Sequence, residues 1–380
     1  MCATESASET PGRRVLEGVP RVGFYHEMQQ HADSKVRCPE DVPLPSCLRA
    51  CLEYLGDGVG CSQTGLCSPH WKLGCGYAFL MGATGAAFRL SWKEGWHGDN
   101  VASWLVGNDA GEIFVRAFAA VGYGLELVHV RRDEPDAEAV RRKVIESIDA
   151  GRPVIAHGVI GPPEECILTG YDDGGEVVIG WNYFQGDDGL ADVEFEPSGQ
   201  FRKRNWVADT WSLVLIGEKA DPPPEPKEVL RTALEWAVEV IRAPVRFGDR
   251  HNGLAAFDAW IEHLGYDDQI AADPAMGIEV HDDAVGVVAE GRWYASIFLA
   301  EAARWMPFLA PELLAAASCC AEQHALMWKL WDVLGGHGRG PDHQQRLCDA
   351  DRRRQMVPII RQAREKDARV AEHIERALAV

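Results

Sequence analysis

Cys47 and Cys51 stand four residues apart in the stretch Pro43-Leu44-Pro45-Ser46-Cys47-Leu48-Arg49-Ala50-Cys51-Leu52-Glu53-Tyr54-Leu55-Gly56. Two prolines lead into an apolar-periodic helix, and Gly56 marks its stop. The spacing puts both thiols on one helix face. Cys47 falls in the first turn, where unpaired backbone N–H groups and the positive end of the helix dipole favour a thiolate. A thiolate so placed is a nucleophile for acyl or amide chemistry when a base stands within reach. Its inert counterpart is a buried free cysteine that packs as a small hydrophobe.

A second group, Cys61, Cys67, His70 and Cys75, brings four soft ligands into fifteen residues. Its C-x5-C-x2-H-x4-C spacing matches no standard zinc knuckle, so neither metal nor cofactor is expected. Trp92, Trp96, His97, Asp99 and Trp104 form an aromatic-polar stretch after Arg89. Such a mixture either walls a ligand pocket or makes a loop packed by its own tryptophans. Neither a GxGxxG turn between strand and helix nor a GxxxxGK[ST] loop is present, which leaves nucleotide hydrolysis without support.

The elements that must hold these residues divide at Asp221-Pro222-Pro223-Pro224-Glu225-Pro226, a stiff proline connector. Before it, periodicity predicts helices over Leu44–Leu55, Ile113–Val121 and Ala137–Ala150. Strands are predicted over Pro153–Ile160, Cys166–Asp172, Glu176–Phe184 and Trp211–Glu218. Short links between the first three strands imply antiparallel neighbours. The expectation is an α+β domain over residues 20–220 with an antiparallel sheet. After the connector, Leu254, Phe257, Trp260, Ile261 and Leu264 recur at helical spacing, and so do Leu326, Trp328, Leu330 and Trp331. An all-α domain is expected over residues 227–380, ending in a helix from about Asp351 to Leu378 with a kink at Pro358.

Composition bounds the partners. The 380 residues carry a net charge of −20, which opposes nonspecific nucleic-acid binding and docking on an anionic membrane. Residues Met1 to Arg14 contain no apolar run of signal-peptide length, and no later run approaches a membrane span. Eleven cysteines, an odd number outside any short disulfide framework, point to reduced thiols and a cytoplasmic location.

Two segments carry a family resemblance. Pro45 to Gly56 resembles the helix that follows the active-site cysteine in bacteriocin-processing cysteine peptidases and their relatives. Pro153-Val154-Ile155 with Leu168-Thr169-Gly170-Tyr171-Asp172-Asp173 resembles the strand pair that carries their histidine. Glu290-Gly291-Arg292-Trp293-Tyr294, Phe298 to Ala302 and Met327-Trp328-Lys329-Leu330-Trp331 resemble the C-terminal helices of the butirosin biosynthesis protein H-like family. In that family a cysteine-peptidase-like, papain-like domain precedes a helical one and transfers an acyl group from a carrier protein to an aminoglycoside amine. The resemblance implies a papain-like N-terminal domain here and an acyltransferase or hydrolase ancestry. Counted in register, the family's nucleophile falls at Pro43 or Leu44 and its histidine at Glu164. The residue that orients the histidine falls near Asn182.

Chemistry on this scaffold would therefore need relocated groups. Cys47 lies about one helical turn beyond the family's nucleophile position. Cys166 lies two residues after Glu164 and so on the same side of the strand. His157 is the nearest candidate base, although a turn centred on Pro162-Pro163 would set it opposite Leu168. The candidate catalytic set is Cys47, Cys166, Glu164, His157 and Asn182. The first reading is acyl or amide chemistry on a small molecule or peptide through a relocated thiol. The alternative is a noncatalytic binding protein that kept the cleft and lost the nucleophile, with an apolar pocket near Pro43, Glu164 and the tryptophans. A third is a scaffolding protein that works through its C-terminal helices. An acidic acyl carrier protein would need a basic patch to dock, and Arg202-Lys203-Arg204 is the best available.

Overall fold

The structure is a computed structural model that describes residues 12–28, 38–57, 75–101, 106, 111–130, 136–185, 192–243, 245–246 and 250–380. The chain folds into two compact units, one of residues 1–71 and 122–221 and the other of residues 72–121 and 222–380. The break after Asp221 coincides with the proline connector. The stretch 72–121, expected within a 20–220 domain, instead packs with the C-terminal helices.

The first unit is α+β. Its eight-stranded sheet is antiparallel, in the order Tyr123–His129, Ser212–Lys219, Val154–His157, Glu165–Asp172, Val177–Trp181, Phe201–Arg204 and Val193–Phe195, with Arg14–Val15 added against Glu165–Asp172. Every residue of Val154–His157 and Val177–Trp181 is buried, as is Glu165–Asp172 up to its last residue. Burial on both faces explains why these strands read as near-continuous apolar runs rather than alternating ones. Helices Pro43–Tyr54 and Ala137–Asp149 both pack on Glu165–Asp172. The first starts on Pro43 and Pro45, which lack the N–H groups a helix start leaves unpaired, and stops where Gly56 turns to φ +76°. The second starts on Asp136, whose carboxylate accepts the Ala139 N–H at 3.0 Å.

The second unit is mainly helical. Helices Pro274–Trp305, Ala310–Val333 and Ala350–Leu378 pack together, and Pro226–Arg242, Leu254–His263, Gly76–Ala83 and Glu112–Val121 complete the layer around them. The last long helix runs through Pro358. A small antiparallel sheet pairs Ser91–Trp92 with Arg250–Asn252. In the interior the Arg292 guanidinium meets the Asp367 carboxylate in a fork, with contacts of 2.8 and 2.6 Å, and both residues are wholly buried. The same guanidinium donates to the Ala87 carbonyl at 2.8 Å and the Arg89 carbonyl at 3.2 Å. Every polar contact of this buried cation is a hydrogen bond, the condition under which an interior charge is tolerated.

Candidate functional site

In the first unit, residues Pro43 to Leu52 are all buried, and with them Cys47 and Cys51. Two polar members of the helix need partners there. Arg49 donates to the Glu40 carboxylate at 2.7 Å and to Glu53 at 3.0 Å, while the Ser46 hydroxyl reaches Glu40 at 3.4 Å. Tyr183, also wholly buried, donates its hydroxyl to the Glu40 carbonyl at 2.7 Å. Glu40 thus anchors the start of the helix that places Cys47.

Cys166 lies beneath this helix and within electrostatic reach of Cys47, and Asn182 donates a side-chain hydrogen bond to it. The Asn182 amide is also committed to a turn, because its oxygen accepts the Phe184 N–H at 2.6 Å. The structure therefore brings Cys47, Cys166 and Asn182 together. It does not bring His157 to them. Ala156 pairs with Cys166 and His157 with Glu165, so alternation puts His157 on the sheet face opposite Cys166. The expected partner, Leu168, pairs with Val154 instead. The connection pivots on left-handed Gly158 and Gly161 rather than on the two prolines, and the Gly158 N–H closes on the Glu164 carbonyl at 3.1 Å. His157 Nε2 contacts the Pro163 carbonyl, and its ring stands edge-on to Trp211 at 5.4 Å. Glu164 is half-buried in that connection, ahead of the strand that carries Cys166.

Electrostatics oppose a thiolate in this corner. Burial pushes the Cys47 thiol well above its ordinary value, and the neighbouring Cys51, Cys166 and Glu165 add to the shift against a weaker opposing pull from Arg49. Burial pushes Cys166 up to about 12, although the Asn182 hydrogen bond works the other way. A thiol held that high stays protonated at neutral pH.

The basic patch proposed for a carrier partner is internally neutralised. Arg202 meets Glu196 at 2.5 Å and Asp172 at 2.9 Å, Lys203 meets Asp209 at 2.7 Å, and Arg204 meets Asp173 at 2.8 Å. These three residues belong to the strand Phe201–Arg204 and brace the sheet. Of the proposed zinc ligands, Cys61, Cys67 and His70 lie outside the described residues, as does Trp104. Cys75 caps the helix Gly76–Ala83, its sulfur accepting the Ala78 N–H at 3.4 Å. Among the described residues no group of three or more His, Cys, Asp or Glu could hold a metal ion.

A cavity lies in the second unit. It has a volume of about 450 Å³ and is walled by the loop 94–97 on one side and by Gln269, Ala272, Asp273 and Met276 on the other. Trp96 and His97, singled out in the sequence, line it; the helical residues carried no comparable signal. The loop is held from behind. His263 Nε2 accepts the Gly95 N–H at 2.9 Å, and the buried Asn100 donates to the Gly95 carbonyl at 2.9 Å and accepts the Lys93 N–H at 2.9 Å. Arg250 donates to the Asp99 carbonyl at 2.6 Å and pairs with the Asp99 carboxylate. Gly95 itself sits at φ +84°, and a Cβ there would lie 3.3 Å from His97 Nε2 and 3.4 Å from Gln269 Oε1. Behind the loop the rings continue inward. Trp96 is edge-on to Trp92 at 5.5 Å, Trp92 stacks on Trp260 at 5.9 Å, and Trp260 lies 5.4 Å from His281.

In comparison with known proteins, no family model matches the chain and no curated protein matches it. No described helix is long and apolar enough to cross a membrane.

Proposed function

We propose that this chain is a noncatalytic small-molecule binding protein on a degenerate, papain-like cysteine-peptidase scaffold of the butirosin biosynthesis protein H type. The observation that carries this reading is the enclosure of Cys47 and Cys166. Both thiols are wholly buried, and the one histidine proposed as their base stands on the other face of the sheet. A relocated nucleophile needs a base, an ionised thiol and a path for substrate; this corner supplies an amide from Asn182 and apolar packing. Binding is assigned to the second unit, where a cavity meets a loop pre-set by buried Asn100 and His263. Carrier-dependent transfer is not part of the reading, because Arg202, Lys203 and Arg204 already have carboxylate partners. Cys47, Cys51, Cys166, Cys319, Cys320 and Cys348 are free thiols, which fits a reducing, cytoplasmic setting.

Alkylation of the native protein by iodoacetamide, read by peptide mass spectrometry, tests this. Exposed Cys348 and half-buried Cys38 should label first, with Cys47, Cys51 and Cys166 protected until the protein unfolds. Labelling of Cys47 or Cys166 ahead of Cys348 would return the thiol-dependent acyl or amide reading to first place.

A further inference from the structure

We infer that residues 13–28 form a separable strap over the corner of Cys47, Cys166 and Asn182, and that its release opens this corner while the rest of the first unit stays folded. The inference goes beyond the binding reading, which concerns the second unit. The strap touches both walls of the corner. Arg13 pairs with Asp172 and Glu196, each at 3.1 Å, and Arg14–Val15 adds two residues of strand against Tyr171 and Gly170. The Leu16 N–H donates to the Thr169 carbonyl at 2.8 Å. Trp181, the residue before Asn182, donates its indole N–H to the Val19 carbonyl at 3.1 Å, and the Arg21 guanidinium lies over its ring at 4.2 Å. Phe24 then stands edge-on to Tyr183 at 5.1 Å and to Phe184 at 5.3 Å. Tyr183 is within electrostatic reach of Cys47, and the Phe184 N–H is held by the same Asn182 amide that bonds Cys166. One ring thus backs the neighbours of both thiols. On the helix side, the Tyr25 N–H donates to the Asp41 carboxylate at 2.8 Å, just ahead of Pro43–Tyr54.

The strap is buried yet lightly knit. Leu16, Val19, Val22 and Met28 are buried, but its regular structure amounts to that short strand and the four-residue helix Tyr25–Met28. Segments with so few cooperative hydrogen bonds open at a lower free energy than the whole domain. Arg14–Val15 also lies off the path that joins the other seven strands, so its departure breaks no pairing among them. Burial is the largest cause of the raised Cys47 and Cys166 thiols, so an opened corner restores access and ionisation together.

Iodoacetamide labelling rates, followed residue by residue by mass spectrometry in the full chain and in Phe24→Ala, test the strap. Cys51, one turn further along the same helix, and Cys320 in the second unit are both wholly buried and report any wider loosening. Cys47 and Cys166 should label about tenfold faster in Phe24→Ala, with Cys51 and Cys320 unchanged. A chain starting at residue 29 should label faster still, and a synthetic peptide of residues 12–28 should restore its protection in trans. If Phe24→Ala leaves Cys47 and Cys166 unchanged, or if Cys51 accelerates in step with them, the strap is overturned. Failure of the peptide to protect a folded shortened chain overturns it as well. Should the shortened chain not fold, Phe24→Ala alone decides. None of these results touches the binding reading, which rests on the order of labelling in the intact chain.

Discussion

In the first unit a helix start, two thiols and an asparagine converge in a corner closed to water. In the second, a loop with no nucleophile borders open space. The difference shows how little residue type decides by itself. Cys47 at a helix N-terminus has the dipole that favours a thiolate, but complete burial outweighs it and the thiol stays protonated. Glu94 and Trp96 border open space on one side and belong to a loop fixed by His263 behind. Access and preorganisation separate the two regions more than chemistry does.

The comparison can be broken from the second unit's side first. Arg292 ties the stretch ahead of the cavity loop, at Ala87 and Arg89, to the helical core. Arg292→Ala leaves Asp367 buried and unpaired and should cost about 3–5 kcal/mol, read by chemical denaturation. Replacing both partners, Arg292→Met with Asp367→Leu, should recover only part of that loss, since no charge is stranded but the Ala87 and Arg89 carbonyls still lose their donor.

Acid gives the next effect. His281 is wholly buried, both of its ring nitrogens lack hydrogen-bond partners, and burial holds it down at about 4 from 6.5, against an opposing pull from Asp282. The folded state therefore favours the neutral ring. Its stability is fully present above pH 6.5 and falls by about 1.4 kcal/mol per pH unit as the pH drops from there towards 4. Thermal melts across that window should show this slope, and His281→Leu should flatten it.

Gly95 sharpens the comparison with the smallest change. At φ +84° a side chain is strained by about 1–2 kcal/mol, and Cβ would press on His97 and Gln269. Gly95→Ala should lower stability by that amount, read by chemical denaturation. The protection of Cys47 and Cys166 from alkylation should not change.

Much of the first unit was legible. The prolines and Gly56 bracketed one helix, and apolar runs marked the central strands within a few residues of their observed ends. The edge strand Tyr123–His129 was not read, although half-buried Tyr123, Leu125 and Leu127 alternate with exposed Gly124 and Glu126. Phe201–Arg204 looked like a docking patch because its charges are visible in sequence and their partners, Asp172, Asp173 and Glu196, are not. The position of His157 was missed for a related reason. Pro162-Pro163 is conspicuous, but the left-handed glycines at 158 and 161 set the turn, and a register change of an odd number of residues reverses which face a side chain takes. At the cavity, Trp96 and His97 stood out as an aromatic-polar pair. Gln269, Asp273 and Met276 lie far along the chain and meet them only through tertiary packing.

The interleaving of the two units bears on how the chain is made. Residues 72–121 leave the ribosome before the helices they pack with, and residues 122–221 must be synthesised in between. At about 5–20 residues per second that interval is on the order of 5–20 s. Tyr77, Phe79, Leu80, Met81, Phe88 and Trp92, all buried in the finished protein, wait through it without their eventual cover. Nascent chains paused after residue 221 should recruit chaperones through this stretch, and a fragment starting at residue 222 would lack part of its own core.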